Sequence, residues 1–294
     1  MRIFLTGATG FIGSYLTPEL IGAGHQVLGM TRSQAGADAL LKAGAQPHQG
    51  ELADLESLRA GAAQADAVIH LAFDHDFTNF VANCEKDRRA IEAMAEVLRG
   101  SGRPLVVTSG AGIGSRGPGQ KATEDFINGD DPSPRAATEV ACQALAADGV
   151  RLIVVRLPQV HDTHKQGLLT PYVEIARQKG VVAFVGDGAN LWAAGHVKDV
   201  VHLYRLAVEQ GEAGERFHAV DEEGVAARDI AEVIAKKLGV PTRSLTPDQA
   251  GEHFGWMSRF FSLDMPASSA WTRERLGWRP SGPSLLSDLE GMAY

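Results

Sequence analysis

Near its start the chain carries a run of residues whose chemistry is phosphate binding: Thr6-Gly7-Ala8-Thr9-Gly10-Phe11-Ile12-Gly13. Gly7 permits a tight turn, Gly10 lets the backbone approach a pyrophosphate, and Gly13 lets the following helix pack closely on the sheet. Thr9, Phe11 and Ile12 belong to the same cradle. Folds that take NAD place a carboxylate roughly 20 residues on, against the ribose 2′-hydroxyl. Here that stretch reads Met30-Thr31-Arg32-Ser33, with no acid. Arg32 offers a guanidinium to a 2′-phosphate, and Thr31 and Ser33 offer hydroxyls. The expected cofactor is NADP(H); the alternative is that Arg32 is a solvated loop residue.

Proton transfer needs a group that titrates within reach of neutrality. His161, in the segment His161-Asp162-Thr163-His164, is one candidate and Tyr172 is another. The competing reading is a loop histidine cluster with ordinary polar contacts. His161 and His164 lack a defined third ligand, so no metal is expected. Tyr15 and Tyr204 fall in helical stretches and read as packing residues, and Tyr294 ends the chain. Asp74-His75-Asp76 follows an apolar run and faces either the cofactor or solvent. His196 and Asp199 read as braces at a helix start. The aromatic stretch around His253, Phe254, Trp256, Phe260 and Phe261, with Trp192, Trp271 and Trp278, makes either an apolar substrate pocket or a small core.

These residues need elements to hold them. Apolar runs at 2–6, 26–30, 67–72, 105–109 and 151–157, with a weak strand at 46–48, read as six strands. Helical patterns over 11–21, 35–43, 54–60, 80–98 and 136–146 separate them, with Asp54 a candidate N-cap. The strands are continuous apolar runs rather than alternating ones, as in strands covered on both faces. The expected fold is α/β, a Rossmann doubly wound parallel sheet with a smaller C-terminal α/β substrate domain. Residues 1–160, with parts of 191–220, are expected to bind the cofactor, and 161–190 with 221–294 to form the substrate domain. Helices are expected at 168–179, 199–209 and 229–238, and strands at 181–185 and 217–220.

The bulk properties narrow the function. At 294 residues the chain is long enough for a large core. A net charge of -8 argues against nucleic-acid and anionic-membrane partners. Cys84 and Cys142 have no CxxC spacing, so they read as reduced thiols. With a strand starting at Arg2 and no apolar run of about 18 residues, neither a signal peptide nor a membrane span is expected, and the expected location is cytoplasmic.

The glycine run and the six-strand pattern resemble the extended short-chain dehydrogenase/reductase superfamily, in an atypical, epimerase/dehydratase-like subgroup. Gly50-Glu51-Leu52 followed by Asp54 is similar to a family segment whose acid contacts adenine, which implies that role for Glu51, with Leu52 beside it. Ile69-His70-Leu71-Ala72 is similar to the fourth-strand end, which implies that Leu71 and Ala72 lie against the ribose and pyrophosphate. Arg156-Leu157-Pro158 and His196-Val197-Lys198-Asp199 also match family segments. The family's catalytic serine corresponds to Ser109. Its Tyr-x-x-x-Lys does not survive: Arg135 stands at the tyrosine and Glu139 at the lysine. The family's helical Asn corresponds to Asp87. The spacing of Arg135 and Glu139 predicts an i,i+4 ion pair, and Arg135 is otherwise available to an anionic substrate or the cofactor phosphate. The segment at His161 is implied to leave the sixth strand beside the nicotinamide.

Three functions follow. The first is an NADP-dependent oxidoreductase interconverting a carbonyl and an alcohol on a small, apolar substrate, with Ser109 on the substrate oxygen and His161 or Tyr172 supplying the proton. The second is a non-catalytic NADP(H)-binding sensor or regulatory protein. The third is a sugar-nucleotide epimerase or dehydratase. The resemblance also implies a homodimer through the helices at 80–98 and 136–146.

Overall fold

A computed structural model describes residues 1–129 and 133–293; Tyr294 lies outside the described residues. The first half alternates strand and helix. In order it runs β1 (Arg2–Thr6), α1 (Phe11–Gly22), β2 (Gln26–Thr31), α2 (Gln34–Lys42), β3 (Gln46–Gln49), α3 (Leu55–Ala63), β4 (Ala67–His70) and α4 (Phe80–Leu98). It continues through β5 (Pro104–Gly110), α5 (Pro134–Ala147), β6 (Arg151–Leu157), β7 (Gln159–His161), α6 (Leu169–Lys179), β8 (Val182–Val185), β9 (Leu191–His196), α7 (Val197–Gln210) and β10 (Arg216–His218). The remainder is β11 (Glu222–Ala226), α8 (Ala227–Leu238), β12 (Thr242–Leu245), α9 (Pro247–Phe254), α10 (Ser258–Phe261), α11 (Ala270–Leu276) and α12 (Leu285–Gly291).

Seven strands form one sheet in the order β10-β6-β5-β4-β1-β2-β3. Every neighbouring pair in it is parallel. The chain order reverses between β1 and β4, and ligands of such sheets bind at the carboxyl ends of the strands beside that reversal. Ile3, Leu5, Ile69, Val106 and Val155 pack on one face with Leu16 and Leu20 of α1 and Val200 and Tyr204 of α7. Phe4, Val68, Leu105, Val107 and Val154 pack on the other with Leu58, Ile91, Met94 and Cys142. Burial on both faces is why these strands carry no polar alternation.

A separate apolar cluster joins Tyr172 and Val173 of α6, Trp192 of β9, Ile230 and Ile234 of α8, Phe254 and Phe261. Two small sheets, β11-β9-β7 and β12-β8, border it. Strands β7, β9, β11 and β12 are absent from the sequence expectation. They are short, and Leu191–His196 carries only small apolar residues beyond its tryptophan, so periodicity does not mark it. Asp54 caps α3 as expected, accepting from the Ser57 N–H at 3.1 Å.

Candidate active site

The glycine turn is built as its residue types require. Gly7 has φ of +67°, and a Cβ there would meet the Ala72 nitrogen at 2.8 Å. A Cβ on Gly13 would meet the Gly7 carbonyl oxygen at 2.1 Å, so the first turn of α1 lies directly on the loop. The Gly10 N–H donates to the Gly7 carbonyl at 2.9 Å. No side chain caps α1 at Gly10, which leaves first-turn N–H groups at Phe11, Ile12 and Gly13 for an anion. Thr9 and Gly10 are exposed, and Phe11 and Ile12 half-buried.

The ribose end is partly as expected. Arg32 is exposed at the end of β2, and its carbonyl accepts from the Gln49 side chain at 3.0 Å. Ser33 is exposed and caps α2 by accepting from the Gly36 N–H at 3.1 Å. Thr31 departs from expectation. It is buried, with its hydroxyl turned onto the Ser33 backbone at 3.4 Å. Glu51 is exposed, Leu52 packs against the core cluster, and Leu71 and Ala72 are half-buried.

Thr6, His70, Ser109 and Arg156 close the carboxyl ends of β1, β4, β5 and β6, on the face that α4 and α5 cover. They make two polar chains. In the first, the Ala72 N–H donates to Thr6 Oγ1 at 3.2 Å, and Thr6 Oγ1 meets His70 Nδ1 at 2.8 Å. His70 Nε2 lies 3.1 Å from Asp87 Oδ1, and Arg135 donates to Asp87 Oδ2 at 2.5 Å. Arg135 also donates to the Thr108 carbonyl at 2.6 Å. The Asp87 carboxylate only accepts, so the His70 Nε2–H donates to it. In the second chain, Ser109 donates to Glu139 Oε2 at 2.7 Å. The Arg156 guanidinium grips Glu139 through Nε at 2.9 Å and through a terminal nitrogen. Arg156 donates further to the carbonyls of Thr123 (3.1 Å) and Phe126 (2.8 Å), and meets His218 Nε2 at 3.1 Å.

This geometry corrects four expectations. Arg135 and Glu139 do not pair with each other; the sheet supplies Arg156 to Glu139, and α4 supplies Asp87 to Arg135. The Ser109 proton is committed to a carboxylate, so Ser109 presents lone pairs to the cleft and does not donate to a substrate oxygen. His161 is wholly buried between elements, with Nδ1 at 2.7 Å from Asp288 of α12. Burial holds it neutral, below its usual titration range. Tyr172 is buried in the second apolar cluster, 4.4 Å from the Phe261 ring, and donates to the Ala183 carbonyl at 2.6 Å. Burial pushes its phenol up. Neither side chain reaches the cleft. Tyr15 donates to Asp162 at 2.7 Å, which raises it to about 12, and buried Tyr204 bonds Thr108.

The cleft edge is instead filled from the loop after β4. Arg135 lies over the Phe73 ring, 4.5 Å from its centroid. His75 packs on the same ring at 5.5 Å, and Phe77 stacks on Trp256 at 4.7 Å. Phe80 and Phe260 extend the wall. Lys165 reaches over Phe11 of the glycine turn at 5.8 Å. Of the expected aromatic pocket, Trp256 and Phe260 meet the loop after β4, whereas Phe254 and Phe261 are core, on Tyr172 and Trp192. Trp271 stacks on Phe217, and Trp278 donates to the Asp199 carbonyl at 3.0 Å. His196 caps α7, and the Asp199 carboxylate accepts from the backbone of Ser281 and Gly282, both bracing roles as expected. Asp87, Arg156 and His75 were named from the sequence as segment matches or cleft-edge residues, but their partners were not; the signal available was a charge inside the apolar strand Arg151–Leu157.

Comparison with known proteins agrees with this architecture. An uncharacterized protein of Schizosaccharomyces pombe is 44% identical over the full length of both chains. A sterol-4-alpha-carboxylate 3-dehydrogenase (decarboxylating) of Dictyostelium discoideum is 30% identical, over 83% of this chain and 78% of that one. The dTDP-glucose 4,6-dehydratase of Streptomyces venezuelae, solved with NAD bound, superposes with a TM-score of 0.77 at 19% identity, over 99% and 95% of the chains. Among the described residues, no helix is long and apolar enough to cross a membrane. The NAD dependent epimerase/dehydratase family model matches residues 3–220, and the chain belongs to that family.

Proposed function

We propose that the protein is an NADP(H)-dependent oxidoreductase that interconverts a carbonyl and an alcohol on a small apolar substrate. The observation that carries this is spatial. The glycine cradle at β1 and the Arg135–Asp87–His70–Thr6 chain share one sheet edge and touch through the Ala72 N–H. A dinucleotide suits the cradle, because Gly7 and Gly13 let the loop close against Ala72 and the first turn of α1, and beside Gly10 only the Gly7 carbonyl, at 3.2 Å, comes near a Cβ. A nicotinamide dinucleotide bound there would supply or accept hydride. Gly7, Thr9, Gly10, Phe11, Ile12 and Gly13 would hold its pyrophosphate, Arg32 and Ser33 its 2′-phosphate, Glu51 and Leu52 its adenine, and Leu71 and Ala72 its ribose.

Arg135 takes the substrate oxygen in this reading. Its guanidinium has five N–H donors and no accessible neutral form, and only two contacts are committed to protein. Asp87 keeps the fork in place, and Phe73 covers one face of it. The aromatic wall of Phe73, Phe77, Trp256 and Phe260 excludes water and suits an apolar substrate. The Dictyostelium relative is a dehydrogenase, which supports this reading. The same reading assigns residues 1–160, with parts of 191–220, to cofactor binding and the remainder to the substrate side. A homodimer through α4 and α5 agrees with exposed Val81 and Val140 on those helices.

Calorimetric titration with NADPH and NADH tests the cofactor. Arg32→Ala should weaken NADPH by roughly 1.5–3 kcal/mol, the value of a charge-assisted bond, and leave NADH unchanged. Equal wild-type affinities for the two cofactors would refute the NADP assignment.

A further inference from the structure

The reaction proposed above needs a proton carrier, and the usual tyrosine is replaced by Arg135. The groups named around the cleft are otherwise committed. Glu139 is 2% exposed and held by Arg156. Asp74 pairs with Lys86 at 2.7 Å, and Asp76 accepts from the Thr78 N–H and the Asn79 side chain. Tyr15, Tyr172 and Tyr204 are each engaged and shifted upward. His75 is the imidazole left on the cleft edge.

We propose that His75 exchanges the proton of the substrate hydroxyl, with Arg135 holding the oxygen. This rests on the oxidoreductase reading. His75 and Arg135 both pack on the Phe73 ring, which sets them beside one another. The loop between them and β4 is pinned. Asn83 donates to the Asp76 carbonyl at 2.8 Å, and the Phe77 N–H donates to the His75 carbonyl at 3.0 Å. Three charges face the ring. Arg135 of α5 and Lys165 after β7 oppose its protonation, while Asp74 on its own loop favours it, as does the Phe73 carbonyl. His75 is solvent-exposed at the cleft edge, and partial enclosure of its ring by neighbouring side chains is the largest influence; the balance holds it below its usual range, neutral at pH 7.

A neutral imidazole beside a fixed cation suits alcohol oxidation. The substrate C–H bond breaks and its hydride passes to the oxidised nicotinamide dinucleotide. The O–H bond breaks, its proton passes to an imidazole nitrogen of His75, and the freed electron pair forms the C=O bond. Reduction is the same step reversed, starting from protonated His75. Arg135 keeps the developing negative oxygen in place throughout.

The test joins a titration with kinetics. In the full-length wild type, histidine NMR should show His75 titrating below 6.5, and Arg135→Gln should raise that midpoint. With an alcohol panel and NADP, wild-type kcat should fall on the acid side of the same midpoint. His75→Gln should lose this limb and roughly 10²–10⁴-fold in kcat, with NADPH binding by calorimetry unchanged. Turnover in His75→Gln with the limb intact overturns the proposal and leaves the oxidoreductase reading standing. NADPH binding without wild-type turnover on any alcohol or carbonyl tested overturns both. A His75 midpoint unmoved by Arg135→Gln removes the geometric basis.

Discussion

Two ion pairs one helical turn apart on α5 do different work. Glu139–Arg156 is sealed in the core: Arg156 is 0% exposed and its remaining donors go to backbone carbonyls. Arg135–Asp87 sits at the cleft edge, with 15% of the arginine side chain exposed and donors to spare. Each pair stands beside a histidine that it helps keep neutral, His218 in the core and His75 at the edge. Family motif positions therefore split into two uses. Glu139 is a strut between α5 and β6, and Arg135 is a partly exposed cation tied to α4.

The sharpest way to break this contrast is to remove each arginine. Arg156→Met leaves Glu139 charged, buried and unpaired, and should cost about 3–5 kcal/mol in urea unfolding. A loss below about 1 kcal/mol would mean the strut carries no stability. Arg135→Lys keeps the charge but loses the two-pronged fork. It should lower kcat roughly 10²–10³-fold, as loss of an oxyanion-stabilising donor does, with a far smaller change in unfolding midpoint than Arg156→Met. Comparable stability losses in both variants would erase the distinction.

The histidines sharpen the comparison through pH. Burial and Arg156 lower His218 to about 3. A folded value below the unfolded one means that the unfolded chain binds the extra proton first. The stability linked to neutral His218 is thus complete above about 6.5, and falls as pH drops from there toward 3. His218→Gln should flatten that part of the stability curve; an unchanged acid limb would place the sensitivity elsewhere. The smallest effect is expected at Tyr172→Phe, which removes one buried donor to the Ala183 carbonyl. It should cost about 1–3 kcal/mol of stability and leave kcat within about twofold, where loss of a general acid would cost 10²–10⁴-fold.

The cofactor edge was legible because its determinants are local. A strand, three spaced glycines and an uncapped helix start are all properties of consecutive residues, and the closeness of Gly13 to Gly7 follows from backbone sterics. The strands β1, β2, β4, β5 and β6 were legible as apolar runs because both sheet faces are covered; β3, at the sheet edge, carries no such run. Arg135 and Glu139 were visible as departures from a family pattern, and their i,i+4 spacing suggested a pair. Their true partners depend on distant register. Pairing of β5 with β6 sets Ser109 beside Arg156, and the packing of α4 against α5 brings Asp87 to Arg135.

By itself, then, the sequence determined the dinucleotide cradle, the parallel sheet and the absence of a tyrosine at residue 135. Only the tertiary structure decided that His161 and Tyr172 face core rather than cleft, that Ser109 gives its proton to Glu139, and that His75 shares a ring with Arg135. The reason is that glycine turns and apolar periodicity act over a few residues. A side chain's burial and its partner are set by elements far apart in the chain, 127 residues for His161 and Asp288 and 147 for Tyr15 and Asp162.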